Sequence, residues 1–129
     1  MTRGGFLLGA FVLLAATVSA EETAGPRIRV EPTTFDFGRV LPRRTLRKEF
    51  RLRNLGDETL VIERISRSCR CTEAVAEELE LVPGGSTPLR VSLDTRDSSG
   101  GIEEQVLLSS NDPETPLLKI LLRATVVAE

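Results

Sequence analysis

The chain has 129 residues, with 17 Lys and Arg against 19 Asp and Glu, a formal charge of −2, two cysteines and no histidine, tryptophan or tyrosine. Without histidine there is no Ser-His-Asp or Cys-His mechanism within the chain, and no histidine-ligated zinc or haem. A charge this close to neutral carries no global bias towards nucleic acid, and no nucleic-acid partner is expected.

Residues 1–20 read as a cleaved signal peptide. Arg3 supplies a short positive region, residues 6–18 form an apolar run broken only by Gly9 and Thr17, and Val18-Ser19-Ala20 is a small-residue cleavage signal. The run is short for a transmembrane helix and no stop-transfer segment follows, so no membrane span is expected after cleavage. An exported chain, periplasmic or extracellular, is the expectation. Residues 21–27 read as a short polar linker, and 28–129 as one domain with its own core.

From Ile28 onward, apolar and polar residues alternate in short segments separated by turn signals, the pattern of an all-β sandwich. Ile28-Arg29-Val30 opens a strand that Pro32 closes, and Thr34-Phe35-Asp36-Phe37-Gly38 is a second short piece. Residues 46–54 are the clearest strand. Leu46, Phe50 and Leu52 share its core face with Lys48, whose position there calls for a strand end or a snorkelling stem. Arg47, Glu49, Arg51 and Arg53 take the solvent face. Asn54-Leu55-Gly56-Asp57 is a turn, and residues 60–65 form a strand running into Ser68-Cys69-Arg70-Cys71-Thr72. Residues 72–80 read as a short strand and a loop, too short for an independent helix. After the turn Pro83-Gly84-Gly85-Ser86, Leu89, Val91 and Leu93 alternate along another strand. Residues 97–101 are a Ser/Gly loop, 105–109 a strand, Ser110-Asn111-Asp112-Pro113 a polar turn, and 117–127 a final strand apolar enough to be central. The predicted architecture is an immunoglobulin-like antiparallel sandwich of about seven to eight strands.

Charge is unevenly spread. Residues 27–70 carry 12 basic and 6 acidic side chains, and residues 71–129 carry 4 basic and 11 acidic. Such asymmetry marks either a basic surface for an anionic partner or strands of the two halves lying side by side with opposite charges paired. The wide spacing of the charges favours the second reading.

The Cys69-Arg70-Cys71 step is the one place for a specific chemistry. Residues i and i+2 of an extended strand lie about 6.5 Å apart, near the upper limit for a disulfide, so a bridge needs a bend there. A three-residue ring contributes only about 1.6 kcal/mol on the chain-entropy estimate, against about 3 for a fifteen-residue loop. Four readings stand: a structural pair, a redox-responsive pair tuned by Arg67 and Arg70, a soft metal such as Cu(I) on two thiolates, or an intermolecular disulfide. Asp94, Asp97, Glu103 and Glu104 flank a loop but lack the spacing of a calcium loop, and a solvated turn is the simpler account.

Phe35-Asp36-Phe37-Gly38, Ser68-Cys69-Arg70-Cys71-Thr72 and Ser110-Asn111-Asp112-Pro113, with Asn54-Leu55-Gly56-Asp57 and Pro83-Gly84-Gly85 between them, resemble an exported bacterial family known as domain of unknown function 1573. The resemblance covers about residues 35–127. It implies an immunoglobulin-like sandwich similar to the ASH, major-sperm-protein and PapD-like domains. The family usually has glycine between the two cysteines, where this chain has Arg70; glycine permits a kink that arginine resists. The leading expectation is a non-catalytic exported module, with no cofactor or metal, binding another protein or a component of the cell envelope. The alternative is a thiol-redox or Cu(I)-binding protein acting through Cys69 and Cys71.

Overall fold

The structure, a computed structural model, describes Gly9, Val12, Leu13 and residues 25–128. Apart from those first three positions, the signal peptide expected over residues 1–20 lies outside the described residues. Among the described residues no helix is long and apolar enough to cross a membrane.

The strands are β1 (Ile28–Glu31), β2 (Thr34–Val40), β3 (Thr45–Asn54), β4 (Leu60–Arg67), β5 (Thr72–Ala76), β6 (Glu80–Leu81), β7 (Ser86–Asp94), β8 (Gly100–Ser110) and β9 (Leu117–Val126). They form a four-stranded sheet ordered β1-β3-β7-β5 and a five-stranded sheet ordered β2-β9-β8-β4-β6. All pairings are antiparallel except that of β2 with β9. Among the described residues there are nine strands, against the expected seven to eight, because residues 72–81 divide into β5 and the two-residue β6, and the segment has no helical turn. β8 begins at Gly100, five residues before the strand read from the sequence, because Gly101 and Ile102 already pair with Thr125 and Ala124 of β9.

Period-two alternation decides which side chains meet. Phe50, Leu52, Leu89, Val91 and Leu93 point inward from the four-stranded sheet, and Leu60, Ile62, Val106, Leu108, Ile120 and Leu122 from the other, all nearly inaccessible to solvent. Each such side chain contributes about 1.5–3 kcal/mol through removal from water. Lys48, on the inward face of β3, reaches across the sandwich and sets its ammonium 4.6 Å from the centre of the Phe35 ring. Phe35 in turn meets Phe37 edge to face, with centroids 4.9 Å apart. The lysine is therefore accommodated by an aromatic face at the sandwich margin, where its stem packs and its charge is attracted by the ring.

Some of the unevenly spread charges meet in pairs. Arg27 meets Asp112 at 3.6 Å and Glu114 at 3.5 Å, and Arg43 meets Asp97 at 3.5 Å, joining the basic to the acidic half. Glu49 and Arg90, directly opposite in the β3–β7 register, approach to 3.4 Å. Glu103 and Arg123, opposite on β8 and β9, approach to 3.1 Å. The exposed pairs, Arg43–Asp97, Glu49–Arg90 and Glu103–Arg123, contribute little to stability, about 0–1 kcal/mol each, whereas Asp112 is buried.

Candidate functional site

Two polar motifs at one end of the sandwich are architectural. Asn54 is fully buried. Its Oδ1 accepts from the N–H of Arg27 at 3.2 Å and of Gly56 at 2.9 Å, and its Nδ2 donates to the carbonyls of Glu58 at 2.7 Å and Leu81 at 2.9 Å. Gly56 sits so close to the preceding segment that a Cβ there would collide with the Gly25 carbonyl oxygen and lie 2.7 Å from the Arg27 nitrogen. Asp57 accepts from the Gly25 N–H at 2.6 Å. Asp112, also buried, accepts from the N–H groups of Ile28 and Glu114 at 2.8 Å and of Thr115 at 3.1 Å. Asn111 ties the start of β4 by accepting from the Val61 N–H at 2.8 Å and donating to the Thr59 carbonyl at 3.1 Å. The side chains of Asn54, Asp57, Asn111 and Asp112 are thus engaged in holding the chain.

The cysteines lie at the opposite end. β4 belongs to the five-stranded sheet and β5 to the four-stranded one, so the Cys-Arg-Cys step is where the chain crosses between sheets. It does so in a tight turn closed by the Thr72 N–H on the Cys69 carbonyl at 3.1 Å. The turn brings the Cα atoms of Cys69 and Cys71 to 5.1 Å, and the two are joined in a disulfide. Arg70 does not obstruct the bridge: among the described residues the non-glycine positions with positive φ are Arg43 and Arg96, so this bend asks for nothing that glycine alone can supply.

The turn is anchored independently of its sulfurs. The Asp94 N–H donates to the Cys71 carbonyl at 2.8 Å, the Ser68 N–H to the Gln105 carbonyl at 3.0 Å, and the Gln105 N–H to Ser68 Oγ at 2.8 Å. Ser68 Oγ donates in turn to Glu104 at 2.6 Å. That bond helps place a Glu104 carboxylate oxygen and both sulfurs within 4.8 Å of one another. The Cys71 N–H points at Cys69 Sγ from 3.1 Å. Both cysteines are half-buried. On the solvent side, Cys71 lines a shallow cleft of about 250 Å³ together with Thr45, Arg70, Glu73, Ser92, Asp94 and Arg96.

Glu104 escapes a reading that starts its strand at Gln105. The signal was present: Ile102, Glu104, Val106 and Leu108 alternate, which puts a carboxylate on the core-facing side of β8. The charge beside the sulfurs is thus that of a carboxylate, while Arg70 lines the cleft and Arg67 is a ladder residue of β4 opposite Val106. A soft metal finds no thiolate while the bridge is closed, so that reading is restricted to the reduced protein. Asp94, Asp97, Glu103 and Glu104 do not converge. Their partners are the Arg96 N–H, Arg43, Arg123 and Ser68 respectively.

Two facing sheets, no helix among the described residues and a hydrophobic interior define an immunoglobulin-like sandwich. Residues 28–126 match the family described as a protein of unknown function, DUF1573, and the chain belongs to that family. A protein of unknown function from Porphyromonas gingivalis W83 superposes with a TM-score of 0.73 at 25% identity, covering 81% of this chain and 48% of its own. This chain thus spans about half the length of that relative. The ASH / PapD-like domain 7 of human CEP192 superposes with a TM-score of 0.63 at 10% identity, covering 95% of this chain and 98% of its own. The secreted serine protease VesC from Vibrio cholerae superposes with a TM-score of 0.58 at 15% identity, covering 82% of this chain and 24% of its own. The fold alone therefore does not separate a binding module from a part of an enzyme. No curated protein matches the chain.

Proposed function

We propose that the domain is an exported, non-catalytic module that binds an extended segment of another protein along the free edge of its four-stranded sheet. The observation that carries this reading is the condition of β5. It is the last strand of its sheet. Cys71 accepts from Asp94 at 2.8 Å and Glu77 donates to Pro88 at 3.2 Å, so ladder alternation turns the backbone groups of Ala74 and Ala76 towards the open edge. Val75 of β5 is 60% exposed, and the segment that follows β5 carries the exposed Leu79 and Val82, an apolar content that a solvated margin does not need. An added strand would take its hydrogen bonds from the backbone and its selectivity from these side chains.

Capture from a native cell envelope, with the intact domain and its Val75→Arg variant compared side by side, tests the reading. A partner held by the first and lost by the second, with unchanged thermal unfolding of both, is the expected outcome. Equal capture by both, or a turnover activity that survives in pure protein, overturns it. Export is checked separately by the mass of the protein made in a bacterial host, which should begin at Glu21.

A further inference from the structure

We infer that the Cys69–Cys71 disulfide is a thiol–disulfide exchange site, attacked at Cys71 by a thiolate that enters through the Arg70/Arg96 cleft. This is a stoichiometric chemistry distinct from strand binding at β5, and it stands on four features.

The first is the ring. A three-residue loop is so short that closing it removes little freedom from the unfolded chain, so the bridge is not needed to hold the fold. The second is the anchoring of the turn. The bonds from Thr72 to Cys69, from Asp94 to Cys71 and from Ser68 to Gln105 are all backbone bonds, and they remain when the sulfur–sulfur bond opens. The two sulfurs then stay neighbours, which favours reclosure by proximity. The third is access. Cys71 lines the open cleft, whose volume of about 250 Å³ admits a cysteinyl-sized group. Its lining carries Arg70 and Arg96 together with Glu73 and Asp94, a balanced set of charges. The fourth is asymmetry between the sulfurs. The Cys71 N–H, 3.1 Å from Cys69 Sγ, is placed to stabilise charge on Cys69. Attack at Cys71 therefore expels the better leaving group.

The reaction balances as follows in chemical terms. A thiol gives its proton to water, and the resulting thiolate forms a bond to Cys71 Sγ. The Cys69–Cys71 bond breaks, and its electron pair leaves on Cys69, which takes a proton from water. A second thiol repeats the sequence at the sulfur of the first, releasing an external disulfide and a Cys71 thiolate that is protonated in turn. Two thiols are oxidised to one disulfide, one protein disulfide is reduced to two thiols, and no net proton is consumed.

The test uses the full domain. Native protein is incubated in glutathione buffers of graded redox poise, and thiols are counted by alkylation and intact mass while far-ultraviolet circular dichroism follows the fold. Reduction with the fold retained is expected; a bridge that opens only on unfolding overturns the proposal. The Cys69→Ser and Cys71→Ser variants are then exposed to oxidised glutathione or to a disulfide-linked unstructured peptide. Cys69→Ser should accumulate the mixed disulfide several-fold faster than Cys71→Ser. Equal rates, or a faster Cys71→Ser variant, overturn the assignment of the attacked sulfur. Trapping by both reagents identifies a general thiol partner, and trapping by the peptide alone a protein cysteine; each supports exchange. Reduced protein that retains a stoichiometric soft metal and forms no mixed disulfide overturns it in favour of a metal site.

Discussion

Asn54 shows how much of a loop one side chain can hold. Four bonds converge on it: two backbone N–H groups reach its oxygen, and its amide reaches two carbonyls. Truncation leaves those groups buried without partners, at about 1–3 kcal/mol for each one that water cannot reach. Asn54→Ala is therefore expected to lower the urea midpoint sharply without changing the slope; a midpoint close to that of the parent would show that water replaces the amide. The sequence displays Asn54 and Asp112 only as turn residues. Their burial and long-range partners depend on the segment at Gly25–Ile28 lying between the two turns, and no local pattern encodes that. Lys48 was more legible. Its place on an apolar face called for a snorkelling stem, and the Phe35 ring that receives it became visible only when β2 and β3 were set in opposite sheets.

The β4–β5 turn is the element on which the cysteine chemistry rests. An extended reading of Cys69-Arg70-Cys71 puts the cysteines about 6.5 Å apart, whereas the turn brings them to 5.1 Å. A chain passing from one sheet to the other has to bend, and the bend falls on the two cysteines. Because Arg70 lies outside the positive-φ region, restoring glycine there relieves no strain and only loosens the unfolded chain. Arg70→Gly should lower stability by about 0.4–1 kcal/mol in thermal or chemical denaturation and leave the bridge formed. A more stable variant would mean that the arginine opposes the turn. The exposed edge at β5 belongs to the same scale. The sequence placed a short strand in this segment, but an edge is a property of a sheet, and only the order β1-β3-β7-β5 leaves β5 with a neighbour on one side alone.

For the molecule as a whole, the hydrophobic interior outweighs the disulfide. Leu122, fully buried in β9, an interior strand of the five-stranded sheet, is expected to cost about 2–5 kcal/mol as Leu122→Ala. The double variant Cys69→Ser/Cys71→Ser should cost no more than about 1.6 kcal/mol. Measured together by denaturant unfolding, the two give an ordering, and a double variant more damaging than Leu122→Ala would make the bridge a structural staple after all. Charge adds little to that ordering: the exposed pairs Arg43–Asp97, Glu49–Arg90 and Glu103–Arg123 contribute about 0–1 kcal/mol each.

The sequence by itself determined the all-β class, the faces of the long strands, the turns and the family, because period-two alternation and turn chemistry are local and survive in a linear reading. It also singled out Cys69 and Cys71. Only the tertiary structure decided that they bridge in a turn between sheets, that Glu104 stands beside them, that a cleft opens on Cys71 and that β5 is an edge. Each of these depends on residues distant in the chain being brought together, and the pairing of strands, which loop closure and burial select jointly, is not written in any one segment.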